Sequence, residues 1–393
     1  MSWPANIRNV GTTALAALVA CTPAHGLISL SEGRERIFVN ATVSVTRDSN
    51  IFANSDNKGD FVYGTSLSAE YTRRVGWIAV NANAAVASSR FATVSGQDFN
   101  NPSIGVEFTK QTGRTTGALT LSAARESRAD ASVNVRSTSW NIPIGLNFKY
   151  PISGPYTLAG SFGYSSRKYV EDVVFASLST FSSSFDLYRI LSTERDLVLG
   201  YRYRYSDTSR SSSYTDNAFS LGLSGKFIRG VKGNLRAGYQ VRETAGRVGA
   251  DSRLGSWFLS GGPSYSFTKK LGLDGSISKD ISTTATDSIV DTTNASLVLQ
   301  RAFTSRWNGN IGVDFGDTRF LGQGGRLLLS AGPPPQYGPN RHDNYLSAHA
   351  MIAYAMNDHL KMTLSYTWFQ NWSTLAYADF VRSSWSFTAA TRW

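Results

Sequence analysis

The sequence predicts an all-β chain: a transmembrane antiparallel up-and-down β-barrel of about 18 strands, with 16 the next choice. Three observations predict it. Apolar and polar residues alternate with period 2 over segments of about 9–11 residues, the length a tilted strand needs to cross hydrocarbon. The connections between these segments alternate between tight turns and longer polar loops. The composition suits a wall with one apolar and one polar face: 41% hydrophobic, 12% aromatic and 17% charged residues, with 35 Gly and a mean hydropathy of −0.21.

Residues 1–26 read as an export signal. Arg8 supplies the positive start, residues 10–20 a short apolar run, and Ala24, His25 and Gly26 a small-x-small cleavage site. Leu18, Val19, Ala20 and Cys21 also match a lipobox, which would place a lipid on Cys21. The apolar run is too short to span a bilayer, and no later stretch reaches the length of a membrane helix. Cys21 is the single cysteine, so the chain forms no internal disulfide. Residues 27–35 read as a periplasmic lead-in and 36–393 as the barrel.

Within the barrel the alternation is plain in several segments. Leu197, Leu199, Tyr201, Tyr203 and Tyr205 share one face, with Val198, Gly200, Arg202, Arg204 and Ser206 on the other. Leu235, Ala237, Tyr239 and Val241 oppose Arg236, Gly238, Gln240 and Arg242, and Phe219, Leu221 and Leu223 oppose Ser220, Gly222 and Ser224. Leu360, Met362, Leu364, Tyr366 and Trp368 oppose Lys361, Thr363, Ser365 and Thr367. The stretch 177–190 alternates more weakly. Short turns fall at 74–76, 111–113, 152–155, 192–194, 229–231, 269–270, 304–305 and 357–358. Longer polar loops fall at 48–60, 96–102, 206–215, 246–255 and 282–291. Tight periplasmic turns against longer external loops give an even strand number and put both ends in the periplasm. In hydrocarbon an open sheet edge costs several kcal/mol per unpaired group, so the first strand, about 36–46, is expected to pair with the last, about 382–393.

That last strand carries Trp385, Phe387 and Trp393 in period 2 and resembles the terminal strand that the barrel-assembly machinery reads. Trp77, Tyr156, Trp307 and Trp393 all adjoin predicted periplasmic turns, as an aromatic girdle at the headgroup boundary would. The partners these features imply are outer-membrane lipid, lipopolysaccharide and the assembly machinery.

A barrel of this size encloses an aqueous lumen. The pleat turns Arg202, Arg204, Lys226, Arg236, Arg242, His349, Lys361 and Arg392 inward. It turns fewer acids inward, among them Glu70, Asp274 and Asp314. The formal net charge is +11. Ladders of Arg and Lys favour anions in a pore, which points to a passive, porin-like conduit for anionic solutes. The same arginines could instead pair with loop acids and lipopolysaccharide and merely hold the wall. The longest loop, 318–343, carries Leu327, Leu328 and Leu329, then Pro333, Pro334 and Pro335. Consecutive prolines stiffen a segment. The expectation is a constriction or gate at the mouth, or else a rim or partner contact.

Enzymatic readings find little support. Outside the leader the histidines are His342, His349 and His359. His342 adjoins Asp343 and His359 adjoins Asp358, without a second acidic partner for catalysis. The run 322–325 lacks the Lys-Ser/Thr of a phosphate loop. Zinc and haem spacings are absent. No cofactor, metal or nucleic acid is expected.

One motif reaches beyond a generic barrel. Val43, Ser44, Val45 and Thr46 lead into Arg47, Asp48, Ser49, Asn50, Ile51 and Phe52. This opening resembles that of a family of outer-membrane β-barrel porins associated with exopolysaccharide biosynthesis and export loci. Arg47 stands where that family usually has Tyr. The resemblance implies a part in polysaccharide export, with an anionic polysaccharide and envelope export components as partners, and brings no catalytic residue. Taken alone, Asp48, Ser49 and Asn50 are turn formers, and their oxygens are also of the kind that ligates Ca²⁺. The competing reading is a non-conducting barrel: a structural or docking component of an envelope complex, or a surface receptor or adhesin.

Overall fold

Residues 27–30, 35–74, 76–130, 134–170, 175–210, 212–246, 253–321, 326–330 and 336–393 are described by a computed structural model. The expected export signal and the lipid site at Cys21 lie outside them.

The described chain is a closed antiparallel barrel of 18 strands. In chain order they are β1 (Glu35–Asp48), β2 (Asp60–Arg73), β3 (Ala79–Phe91), β4 (Phe99–Lys110), β5 (Thr116–Asp130) and β6 (Val135–Ser153). Next come β7 (Tyr156–Tyr169), β8 (Leu178–Ser192), β9 (Arg195–Thr208), β10 (Ser213–Ile228) and β11 (Val231–Ala245). β12 is interrupted (Arg253–Gly261 and Ser264–Thr268), and β13 (Leu271–Thr283), β14 (Ile289–Ala302) and β15 (Trp307–Leu321) follow. β16 (His342–Ala355), β17 (Leu360–Ser373) and β18 (Phe380–Arg392) complete the wall. The weakly alternating stretch at 177–190 is a full strand, β8.

Each strand pairs with its sequence neighbours, and β1 closes on β18 from Asn40↔Arg392 to Asp48↔Ser384. The amide of Val39 donates to the carbonyl of Trp393 at 2.9 Å, and the amide of Trp393 returns the bond at 2.9 Å. The lead-in forms a four-residue strand, Leu27–Leu30, that pairs along β1 below this point. Closure leaves no free sheet edge where the chain's ends meet.

The pleat decides which residues face outward. Leu67, Ile104, Leu199, Phe219, Leu221, Ile311 and Trp385 are all more than half exposed on the outer face. A soluble protein rarely leaves so continuous an apolar band open. Trp77, Tyr156, Trp307 and Trp393 lie at the turn end. Trp307 packs on Tyr354 with ring centroids 4.6 Å apart, and Trp393 stacks on His359 at 4.5 Å. At the opposite end Trp140, Trp257 and Trp372 are exposed.

Two loops expected to be long are not. The connections reduce to 209–212 and 284–288, because the strands continue past the apolar band. The leucine stretch pairs within a separate two-stranded hairpin, Arg326–Ser330 with Gln336–Asn340. Pro333, Pro334 and Pro335 lie outside the described residues.

One seam in the wall is only half closed. β12 pairs with β13 from its lower segment up to Leu259↔Lys279. Above that, residues 253–258 pair with β11 alone. The break follows from Gly262 and Pro263, since proline has no amide to donate to a ladder. β13 and β14 stay paired with each other to Thr283↔Ile289. Their tip therefore slips inside the wall and lies over the inner face of β9–β11.

Candidate functional site

The interior concentrates its arginines on one stretch of the wall. On β9–β11 the inward arginines are Arg202, Arg204, Arg236 and Arg242, as the alternation predicts. Sequence reasoning missed their acidic partners, Asp186, Asp216 and Asp280. Arg204 Nε donates to Asp216 at 2.6 Å, and Arg242 grips the same carboxylate with two bonds of 2.6 and 2.8 Å. Arg202 donates two bonds to Asp280 at 2.8 and 3.2 Å, and Arg204 adds two at 3.1 and 3.4 Å. Arg236 pairs with Asp186 at 2.7 Å and donates to the Tyr188 hydroxyl. Arg242 and Asp216 are 1% and 2% exposed. A charge this deeply buried is tolerable only when paired and hydrogen-bonded.

The arginines also satisfy the backbone edge that the seam leaves open. Arg204 Nη2 donates to the Ile281 carbonyl at 2.5 Å, and Arg242 Nη1 to the Ser282 carbonyl at 3.1 Å. The hairpin tip is held further round the lumen. Asp287 accepts from Tyr214 at 2.8 Å and from Ser212 at 2.9 Å, and the Ala176 amide donates to Ala285. Tyr214, Ile281 and Ile289 form one small apolar cluster, and Tyr169, Phe175 and Ala285 another.

A second inward segment starts at the Asp-Ser-Asn motif. Asp48 takes three bonds from the Arg382 guanidinium at 2.6–3.2 Å and one from the Asn50 amide at 2.9 Å. The Asn50 side chain donates to Asn54, Asn57 and Val381. Asn50 and Ile51 are fully buried. Residues 49–59 are thereby drawn across the mouth, where Asn134 donates to the Ala53 carbonyl and Arg136 to that of Ile51. Arg341, bound to Asp343, donates to Asn134. The motif is thus an anchor for an inward loop. Its carboxylate is occupied by Arg382, and among the described residues no group of acids, His or Cys could hold a metal ion.

The remaining predicted lumen bases are scattered. Lys226 pairs with Glu194 at 2.9 Å, Arg392 with Glu70 at 3.1 Å, and His349 with Asp314 at 3.4 Å. Lys361 is exposed and makes no ion pair among the described residues. Gln300 donates to Asp274. His342 contacts Asp317 rather than the adjacent Asp343, and His359 bonds the Arg392 carbonyl. On β2–β7 the inward positions are mostly small, hydroxyl or amide, Ser66, Ser68, Asn83, Ser122, Asn147 and Ser161 among them, with Glu70, Glu107, Lys149 and Arg167 on the same face. A cavity of about 480 Å³ opens along this wall beside Asn147, Ser161 and Asp186.

Comparison with solved structures gives the same architecture. The FrpB iron transporter from Neisseria meningitidis superposes with a TM-score of 0.50 at 9% identity, over 85% of this chain and 62% of that one. The outer membrane protein opdK from Pseudomonas aeruginosa gives 0.49 at 11% identity, over 91% and 99%. This chain is an outer-membrane β-barrel. At these identities the likeness is one of fold alone. No protein-family model matches the sequence, and no curated protein does. The apolar band is therefore the lipid face, the turn end with Trp307 and Trp393 is periplasmic, and the mouth crossed by the two inward segments is external.

Proposed function

We propose that the barrel is a passive, non-catalytic conduit for anionic hydrophilic solutes, a class that includes an acidic exopolysaccharide. The observation that carries this reading is the concentration of four lumen arginines on two strands, β9 and β11, that flank β10. Three of these guanidiniums share only two carboxylates, so the surface keeps a positive excess. Such a surface attracts anions into the lumen, and the inward hydroxyl and amide groups of β2–β7 offer hydrogen bonds without holding them tightly. The test is conductance of the refolded full-length chain in a planar bilayer under a KCl gradient. A steady conductance with a reversal potential on the chloride side is expected. A cation-selective current would sink the anion preference.

The second reading, a non-conducting receptor or docking barrel, is favoured by one observation: two folded segments cross the external mouth. The same bilayers separate the readings. Current that appears only after removal of residues 282–290 or 320–340 identifies a gated conduit. Silence in every form identifies a scaffold.

A further inference from the structure

The geometry points to a carboxylate-binding site on β9 and β11 that the hairpin tip of β13 and β14 occupies with its own Asp280, so that a carboxylated solute competes with Asp280 and releases the hairpin. The argument starts from the charge count. Arg202, Arg204 and Arg242 share two carboxylates, Asp216 and Asp280. Asp216 belongs to the wall, lies on β10 between the two arginine strands, and is 2% exposed. Asp280 differs. It sits one residue beyond Lys279, where β13 leaves the sheet, and its side chain is 31% exposed. Its two oxygens span the Arg202 and Arg204 guanidiniums as a free carboxylate would.

Two donors at this spot remain unused. Arg202 Nε and Gln240 Nε2 are buried without an acceptor among the described residues, and Gln240 is 1% exposed. An unpaired buried donor is costly, and both adjoin the pair that Asp280 bridges, because Gln240 Oε1 accepts from Arg202 at 2.9 Å. An anion with more oxygens than one aspartate carboxylate, such as a uronate with its ring hydroxyls, satisfies the guanidiniums and both orphans together. Planar guanidinium forks suit carboxylates in this way. Binding of such a ligand requires Asp280 to withdraw, and the tip leaves with it: Asp287 from Tyr214, and Ala285 from its cluster with Tyr169 and Phe175. Solute binding and mouth opening are thus coupled by one exchange of carboxylates.

The inference deepens the conduit reading and takes its purpose from it, so its test includes a readout that needs no current. Ala285 is 7% exposed. In a Cys21→Ser background, Ala285→Cys reports departure of the tip through its labelling by a polar maleimide in the refolded full chain. Glucuronate is the probe and glucose the neutral control. Glucuronate is expected to raise the labelling rate by about tenfold through a population shift, with glucose inert. Asp280→Asn should label fast without glucuronate. Arg202→Gln, which leaves Asp280 its Arg204 partner, should lose the response while labelling no slower at rest. Equal labelling in glucuronate and glucose overturns the site. A glucuronate-dependent label in a barrel that passes no current in any form, glucuronate present or the hairpin tip removed, upholds the site and refutes the conduit. Current with no such label upholds the conduit and refutes the site.

Discussion

The two segments that fold into the external mouth are held by different chemistry. The 49–59 loop hangs from one ion pair, Asp48 with Arg382, and otherwise mainly from neutral bonds to backbone groups, with the Arg136 guanidinium on the Ile51 carbonyl a charged donor among them. The hairpin tip rests on a charged lattice of three arginines and two aspartates, with small apolar clusters around it. A loop made mainly of neutral bonds is a local structure that can fray in part. A lattice of shared charges changes as a unit, because removing one member strands the others. The loop is thus expected to act as fixed lining, and the hairpin as the element with two states.

Four experiments break or sharpen that contrast. The largest effect is expected from Arg242→Ala, which leaves the buried Asp216 with Arg204 alone. A loss of about 3–5 kcal/mol should appear as a lower urea midpoint of the refolded barrel. Adding Asp216→Asn should restore part of it; a single-variant loss under about 1 kcal/mol would mean the lattice is not needed. Next comes Arg382→Ala. Its side chain is one-third exposed, so a smaller loss of about 1–3 kcal/mol is expected, with new protease cuts within 52–58 and no change at the hairpin. Cuts at 284–288 instead would show that the two segments move together. Third, the Arg242→Ala and Arg382→Ala losses should add to within about 0.5 kcal/mol, since the two anchors share no partner. A larger coupling energy would merge the two segments into one plug. The smallest effect belongs to Lys361→Ala. Stability should stay within about 0.5 kcal/mol, while the reversal potential moves slightly toward cations. An unchanged potential would remove Lys361 from the permeation path.

The alternation makes much of this barrel legible in the chain itself. The lipid face, the strand number, the closing pair of strands and the inward side of Arg202, Arg204, Arg236 and Arg242 all follow from period 2. What those arginines touch does not. Asp280 lies 78 positions from Arg202, and only the escape of β13 from the seam brings the two together. Asp186 sits in the strand whose alternation is weakest. Asp216 shares the inward face of its strand with Ser220 and was within reach of the same parity argument, extended four residues back. The Asp-Ser-Asn motif shows the opposite limit. Its residues announce a turn, yet the direction of the turn depends on Arg382, which the fold delivers from the other end of the sequence.

The half-open seam also fixes how deep the molecule sits. Above Leu259 and Lys279 the facing edges of β12 and β13 no longer bond to each other. Bare edges of this kind are too costly for hydrocarbon, so the oily layer must end at or below that level. From Leu271 to Lys279 a strand rises roughly 26 Å along its own axis, or about 20 Å along the membrane normal at the usual tilt. That is close to the height of one hydrocarbon slab, and Trp257, 69% exposed just above it, lies where an indole prefers the headgroups. The seam is therefore a waterline: the charged lattice behind it lies level with the polar skin of the outer leaflet, within reach of solutes arriving from outside.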